Sequence, residues 1–427
     1  MKRFLLFVIC YLSTWTANAQ EGTWYGKLDI QGTILPVVFH FSDDGCTLDS
    51  PAQGAKGIRA ERISEGNHVK VAVPSIGVTY EGDVDGNKIT GQFKQGGYSF
   101  PLTLTVDVPS VKRPQTPVGP FDYSTEEVSF NRDNYTLVGT LTLPKDYSSK
   151  TPVVILLTGS GVQNRDEEIF EHKPFAVIAD ALAHKGIASL RYDDRGYNVS
   201  NVSLENITIG DYKKDALAGI EFLRDKFSKV GLIGHSEGGT IGLMLASEGK
   251  IDFVVSMAGM VVSGKETLLY QNRLLLETLN LPEDKLDRYI STIGNVLDRV
   301  SEGKPETIDL SAVPQEFISE IVKLKENCSA PYIRDFITID VRKSLSKIHC
   351  PVLALNGKLD TQIECKTNLD ALAKHMNNTK CDIAAFDNLN HLFQHCKTGS
   401  VMEYQQIEET ISPEVLQKIA TWINSLY

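Results

Sequence analysis

The order in which apolar runs recur restricts this chain more than any other feature. Val153-Val154-Ile155-Leu156-Leu157, Ile187-Ala188-Ser189-Leu190-Arg191-Tyr192, Val230-Gly231-Leu232-Ile233, Phe253-Val254-Val255-Ser256-Met257, Val352-Leu353-Ala354-Leu355 and Asp382-Ile383-Ala384-Ala385-Phe386 are short and almost continuously apolar. A strand with one wet face alternates, whereas a continuous run suits a strand buried on both faces of a helix-covered parallel sheet. Stretches of helical character separate the runs at 175–185, 209–227 and 240–247. A last helix opens at Ser412-Pro413, a cap residue followed by proline in the first turn. This βαβα order predicts an α/β fold with a doubly wound, mostly parallel sheet.

One stretch breaks the alternation. Residues 260–347 hold helix-like segments at 266–279 and 283–300, inserted before the run at Val352. They are expected to form a helical cap over the end of the sheet where the loops meet. Before the sheet, from residue 20 to 108, the pattern changes to short alternating runs such as Val69-Lys70-Val71-Ala72-Val73. Asp44-Gly45 and Asp85-Gly86-Asn87 suit hairpin turns, because these residues tolerate positive φ. A small all-β domain is expected here. It lacks a catalytic cluster, so it reads as a packing module, with ligand binding or surface docking as the alternative. Pro109, Pro114, Pro117 and Pro120 make 109–121 an extended connector to the larger domain at 122–427.

The first residues have the layout of an export signal. Lys2 and Arg3 precede an apolar stretch, and Ala17-Asn18-Ala19 supplies small residues before a cleavage point that would leave Gln20 first. The stretch falls short of the ~20 residues that span a bilayer, so a periplasmic or extracellular protein is expected rather than an anchored one. No later run is long and apolar enough to cross a membrane. A formal net charge of -11 disfavours nucleic acid as a partner. Six cysteines remain after the signal: Cys46, Cys328, Cys350, Cys365, Cys381 and Cys396. They show no C-x-x-C spacing and no accompanying His pair, so no metal or other cofactor is expected. Bridges Cys365–Cys396 and Cys350–Cys381 compete with free buried thiols as readings.

The chemistry concentrates in Gly234-His235-Ser236-Glu237-Gly238, a G-x-S-x-G pattern lying between an apolar run and a helix. A sharp strand-to-helix turn of this kind presents Ser236 at the end of the sheet, at a helix N-terminus that favours negative charge. A serine hydroxyl needs a base to take its proton and an acid to orient that base. With an elbow serine, the acid and then the base follow in chain order. Asp360 comes just after the run at Val352, with Glu364 as its rival, and His391 comes just after the next run, with His395 as its rival. An oxyanion hole is expected from the backbone N–H of Glu237 and a second donor, Ser160 or Gly161, in the loop after Val153–Leu157.

These residues, together with Gly159-Ser160-Gly161, Arg165-Asp166-Glu167, Arg191-Tyr192-Asp193-Asp194-Arg195-Gly196 and Asn390-His391-Leu392-Phe393-Gln394, resemble a known group. It comprises secreted bacterial α/β-hydrolases of the serine aminopeptidase-like and dienelactone hydrolase-like kind, including esterases with an N-terminal β domain. The resemblance covers 122–427 and implies the same triad, Ser236, Asp360 and His391. One departure is Asn198, where many relatives carry a second glycine after Gly196. The expected activity is hydrolysis of a small carboxylic ester through an acyl-enzyme. A serine aminopeptidase acting on short peptides is the alternative, with Glu237, Asp166 or Glu167 holding the substrate ammonium. A binding protein on a retired hydrolase scaffold is the reading from a different class. The sequence leaves the oligomeric state open.

Overall fold

A computed structural model describes residues 21–30, 33–42, 45–50, 55–106, 111–197, 206–277, 282–304, 318–328, 330–377 and 380–427. The expected export signal lies outside the described residues, as does the segment from Asn198 to 205 that contains the departure from the relatives' pattern. The chain divides into two compact units, Met1–Val111 and Lys112–Tyr427.

The first unit is an eight-stranded closed antiparallel barrel. Its strands are β1 (Gly22–Ile30), β2 (Thr33–Ser42), β3 (Gly45–Ser50), β4 (Ala55–Glu65), β5 (His68–Val73), β6 (Val78–Asp85), β7 (Lys88–Gln95) and β8 (Tyr98–Thr105). Closure comes from β1 pairing with β8 at Gly26 and Leu104. Alternation does the folding here: Val69, Val71 and Val73 of β5 point inward, while His68 and Lys70 point out. Trp24, Phe39, Tyr80, Ile89, Leu102 and Leu104 are fully buried, so side chains fill the interior.

The second unit is an eight-stranded mixed sheet in the order β16-β15-β14-β13-β11-β12-β10-β9. The six expected runs become β11 (Val153–Leu157), β12 (Ala188–Tyr192), β13 (Val230–His235), β14 (Val254–Met257), β15 (Val352–Gly357) and β16 (Cys381–Phe386). From β12 to β16 through the middle of the sheet, every pairing is parallel. Alternate residues of one strand serve opposite cores. Val153, Ile155 and Leu157 pack with α2 (Ile209–Arg224), α3 (Glu237–Ser247) and α8 (Cys365–His375), while Val154 and Leu156 pack with α1 (Pro174–Ala183) and α9 (Pro413–Asn424). Burial on both faces is why these strands read as unbroken apolar runs. The architecture is that of an α/β-hydrolase with a helical cap insertion, preceded by a small all-β domain.

An antiparallel hairpin, β9 (Ser124–Arg132) and β10 (Tyr135–Leu143), was absent from the sequence expectation. Strand β9, with exposed Thr125, Glu126 and Glu127, lies at the sheet's edge and gives no continuous apolar run. The cap consists of α4 (Gly264–Glu277), α5 (Glu283–Ser301), α6 (Ile318–Cys328) and α7 (Pro331–Thr338). It has its own core around Leu286, Ile293, Val296, Leu297 and Ile337.

None of the six cysteines is disulfide-bonded, so of the two competing readings the unbridged one holds, and neither Cys365–Cys396 nor Cys350–Cys381 is a bridge. Cys350 and Cys381 pack against the sheet's core as apolar groups instead. Two side chains of the expected connector bond to the larger unit. The Arg113 guanidinium donates to the carbonyls of Phe170 (2.8 Å), Gln405 (2.9 Å) and Ile407 (2.8 Å), and Gln115 donates to Ile411 (2.7 Å). Arg113 and Gln115 are thus built into the second unit.

Candidate active site

Ser236 sits between β13 and α3 at φ 53, ψ -117, a left-handed backbone that a side chain rarely adopts. Two contacts hold it there: its N–H donates to the Met257 carbonyl at 2.8 Å, and its own carbonyl starts α3 by accepting from Thr240. The flanking glycines are demanded by space. A Cβ on Gly234 would stand 2.1 Å from the Gly238 carbonyl oxygen, and one on Gly238 would stand 2.2 Å from that of Leu157. The turn therefore closes only with the smallest residue at both positions.

Asp360 follows β15 and His391 follows β16, and the parallel pairing of these strands brings both loops out at one end. Backbone bonds join the two loops: Lys358 N–H to Phe386 O at 2.8 Å and Leu359 N–H to Leu389 O at 3.0 Å. His391 Nδ1 donates to Asp360 Oδ2 at 2.7 Å, with both side chains almost wholly buried. The other carboxylate oxygen accepts from the N–H groups of Gln362 and Ile363, each at 2.8 Å. This bonding keeps the carboxylate facing the ring and places the ring proton on Nδ1, leaving Nε2 free to accept. The His391 ring lies 4.7 Å, centroid to centroid, from that of His235, the residue before the elbow serine.

The two rivals have other work. Glu364 caps α8 by accepting from the backbone of Lys366 and Thr367. His395 is half-exposed and pairs with Glu409 at 2.9 Å.

On the oxyanion side, the Glu237 N–H stands at the N-terminus of α3. Buried Gly159 brings the loop after β11 against the elbow, since a Cβ on it would lie 3.3 Å from Ser236 Cβ. Its own N–H is committed to Glu167 Oε1 at 2.6 Å, and the Gly161 backbone faces the Tyr332 hydroxyl, beside Ser160 in the stretch expected to supply the second donor. Asp194 ties this loop from another side, accepting from Thr158 Oγ1 at 2.9 Å and from the Gln163 N–H at 3.0 Å. Burial pushes the Asp194 carboxyl up to about 8.

Cap residues reach the site as well. The Tyr332 hydroxyl of α7 donates to Glu237 Oε2, and Tyr270 of α4 donates to the Asp360 carbonyl oxygen at 3.2 Å. Burial raises the Glu237 carboxyl to about 7, against the lowering effect of the Tyr332 bond. Tyr332 and Tyr270 carry no motif, and only the packing of distant segments reveals them, whereas Asp194 stands in the Arg191–Gly196 motif without a role assigned to it from sequence.

Residues 171–395, more than half of the chain, match the family model described as serine aminopeptidase, S33. The chain belongs to the S33 family. It is a serine hydrolase, and the S33 match spans the elbow serine and both loops that carry Asp360 and His391. Esterase EstD of Thermotoga maritima is 27% identical over 310 residues, covering 72% of this chain and 69% of that protein. Among solved structures, an esterase of Pyrococcus furiosus aligns at TM-score 0.45 with 17% identity, over 75% of this chain and 99% of that one. Dienelactone hydrolase from Anabaena variabilis aligns at TM-score 0.41 with 16% identity, over 71% of this S33 chain and 99% of that one.

Proposed function

We propose that this protein hydrolyses carboxylic esters through an acyl-enzyme on Ser236, with His391 as general base and Asp360 as its orienting acid. The observation that carries this reading is the buried 2.7 Å contact between His391 Nδ1 and Asp360 Oδ2, on a loop packed against the residue before the elbow serine. The Ser236 hydroxyl attacks the ester carbonyl while His391 Nε2 takes its proton. The Glu237 N–H and a donor from Ser160 or Gly161 then hold the oxyanion. Collapse of the tetrahedral intermediate expels the alcohol, which leaves with the proton from His391. A water deprotonated by His391 attacks the acyl-enzyme, and the carboxylic acid departs as Ser236 is reprotonated.

The ester reading is favoured over the aminopeptidase by what the acidic side chains are doing. A peptide N-terminus needs an uncommitted carboxylate, yet all three named candidates have partners. Glu237 is bonded to Tyr332, Asp166 to Arg191, and Glu167 to the Gly159 N–H and His235. Turnover of short p-nitrophenyl esters but not of amino-acid p-nitroanilides is the expected result, and the reverse pattern rejects the ester assignment. A fluorophosphonate should label the native chain and not Ser236→Ala. A folded native chain that stays unlabelled would point to binding without catalysis. We also propose export, tested by the N-terminus of the mature protein: Gln20 first supports it, and retention of Met1 rejects it.

A further inference from the structure

Next to the triad lies a second buried acid and imidazole that the reaction scheme above does not use. Glu167 Oε1 is 2.9 Å from His235 Nδ1 and accepts from the Gly159 N–H at 2.6 Å. The opposite nitrogen of the same ring, His235 Nε2, is 2.9 Å from the backbone carbonyl oxygen of His391. Side-chain exposure is 8% for His235 and 5% for Glu167, so water does not replace these bonds.

Both ring nitrogens of His235 face acceptors, a carboxylate and a carbonyl. With Glu167 ionised, both bonds form only if both ring nitrogens carry protons, which makes the pair an imidazolium and a carboxylate. Burial opposes the charged ring, but the Glu167 charge and hydrogen bond, the His391 carbonyl and Asp360 outweigh it and raise its pKa. Glu167 also holds its backbone at φ 53, in a loop where Phe170 and Glu171 are left-handed too. A buried ion pair is seldom the most stable solution, since a packed apolar pair of the same volume usually serves at least as well. Such a pair on such a loop calls for a reason other than stability.

The three groups it joins supply that reason. Gly159 belongs to the loop expected to donate to the oxyanion, His235 immediately precedes the nucleophile, and His391 is the base. From these contacts we infer that Glu167 and His235 form a positioning pair, which locks the oxyanion loop, the nucleophile elbow and the base loop into one register. The pair touches no reacting atom. Its work is to hold the distances on which proton transfer and oxyanion binding depend, where a displacement of about 1 Å costs on the order of 100-fold in rate. The inference rests on the roles proposed above for Ser236 and His391.

Kinetics on the full chain test it. Glu167→Gln keeps an acceptor for Gly159 but removes the charge, so His235 keeps only one of its two bonds. His235→Gln can reach either Glu167 or the His391 carbonyl, but not both. Each should lower kcat on a p-nitrophenyl ester by about 10- to 100-fold with KM changed less than about threefold, and should slow fluorophosphonate labelling of Ser236 in step. The double variant should lose no more than the worse single one, because the two side chains act as a unit. It also carries no buried charge, so it remains measurable if a single variant fails to fold. Folded variants that keep kcat within twofold, or that lose activity through KM alone, would overturn the inference. Activity persisting in Ser236→Ala would instead overturn the proposed mechanism itself.

Discussion

Asp360 spends both carboxylate oxygens on fixed donors, two backbone N–H groups on one and the His391 ring on the other. An amide at this position can present an N–H to His391 Nδ1 and stabilise the wrong tautomer, with Nε2 protonated and unable to accept. Asp360→Asn is therefore expected to lower kcat by about 10⁴-fold with little change in KM, the scale on which such tautomer errors act. A loss under tenfold in a folded variant would remove Asp360 from the triad. Glu237 makes a prediction about stability. Its folded pKa stands near 7, raised by burial from the ordinary 4.5. The folded state thus binds this proton more tightly than the unfolded chain, and that stability is present below about pH 4.5 and lost as pH rises through about 7. The loss is about 3 kcal/mol. Glu237→Gln should flatten the fall in melting temperature between pH 5 and 7.5, and an unchanged slope would show that the ionisation is not felt.

Among the elements, α7 does more than its length suggests. Pro331 opens it, Tyr332 bonds Glu237 beside the elbow serine, and Asp335 Oδ2 accepts from Ile209 N–H at 3.0 Å and Gly210 N–H at 3.4 Å. Asp335 thus places a negative charge on the N-terminus of α2, where the helix dipole favours it. Helix α4 adds Gln271, which donates to the Gln362 carbonyl at 2.9 Å, beside the Tyr270 contact to the acid loop. The cap is in this way tied to the elbow by one helix and to the acid loop by another. Tyr332→Phe removes a hydroxyl bonded to a buried carboxyl and should cost about 1–3 kcal/mol. Thermal unfolding would read that cost, and limited trypsin digestion should cut the cap faster. An unaltered melt together with unaltered digestion would mean that the latch is not real.

At the scale of the whole molecule, the barrel and the hydrolase unit each possess a core of their own. The boundary at Val111 and Lys112 has a consequence for truncation. A chain starting at residue 112 keeps Arg113, whereas one starting at 122 leaves the carbonyls of Phe170, Gln405 and Ile407 without this donor. The shorter fragment should be less stable by about 2–5 kcal/mol, since a buried carbonyl left bare costs about 1–3 kcal/mol and these part-buried ones recover some of it from water. Denaturant unfolding of both fragments measures the difference, and equal midpoints would show that Arg113 and Gln115, which bonds Ile411 and Thr410, are together replaceable by solvent.

Whatever rests on near neighbours in the chain was legible from sequence. Strands buried on both faces must be apolar throughout, which exposed β11 to β16. A turn this tight admits only glycine at 234 and 238, which exposed Ser236. The chain order of an elbow serine, an acid and a base then pointed to Asp360 and His391. What depended on distant segments meeting was not legible. Glu167 and His235 are 68 residues apart and no spacing links them, so in sequence Glu167 stood only as a candidate partner for a substrate ammonium. Tyr332 is one tyrosine on an amphipathic cap helix until α7 is laid over the elbow. The edge hairpin β9–β10, half wet, lacked the pattern that marked its neighbours. The free thiols follow the same rule, because a disulfide needs two sulfurs in one place, and proximity in space is decided by packing rather than by spacing along the chain.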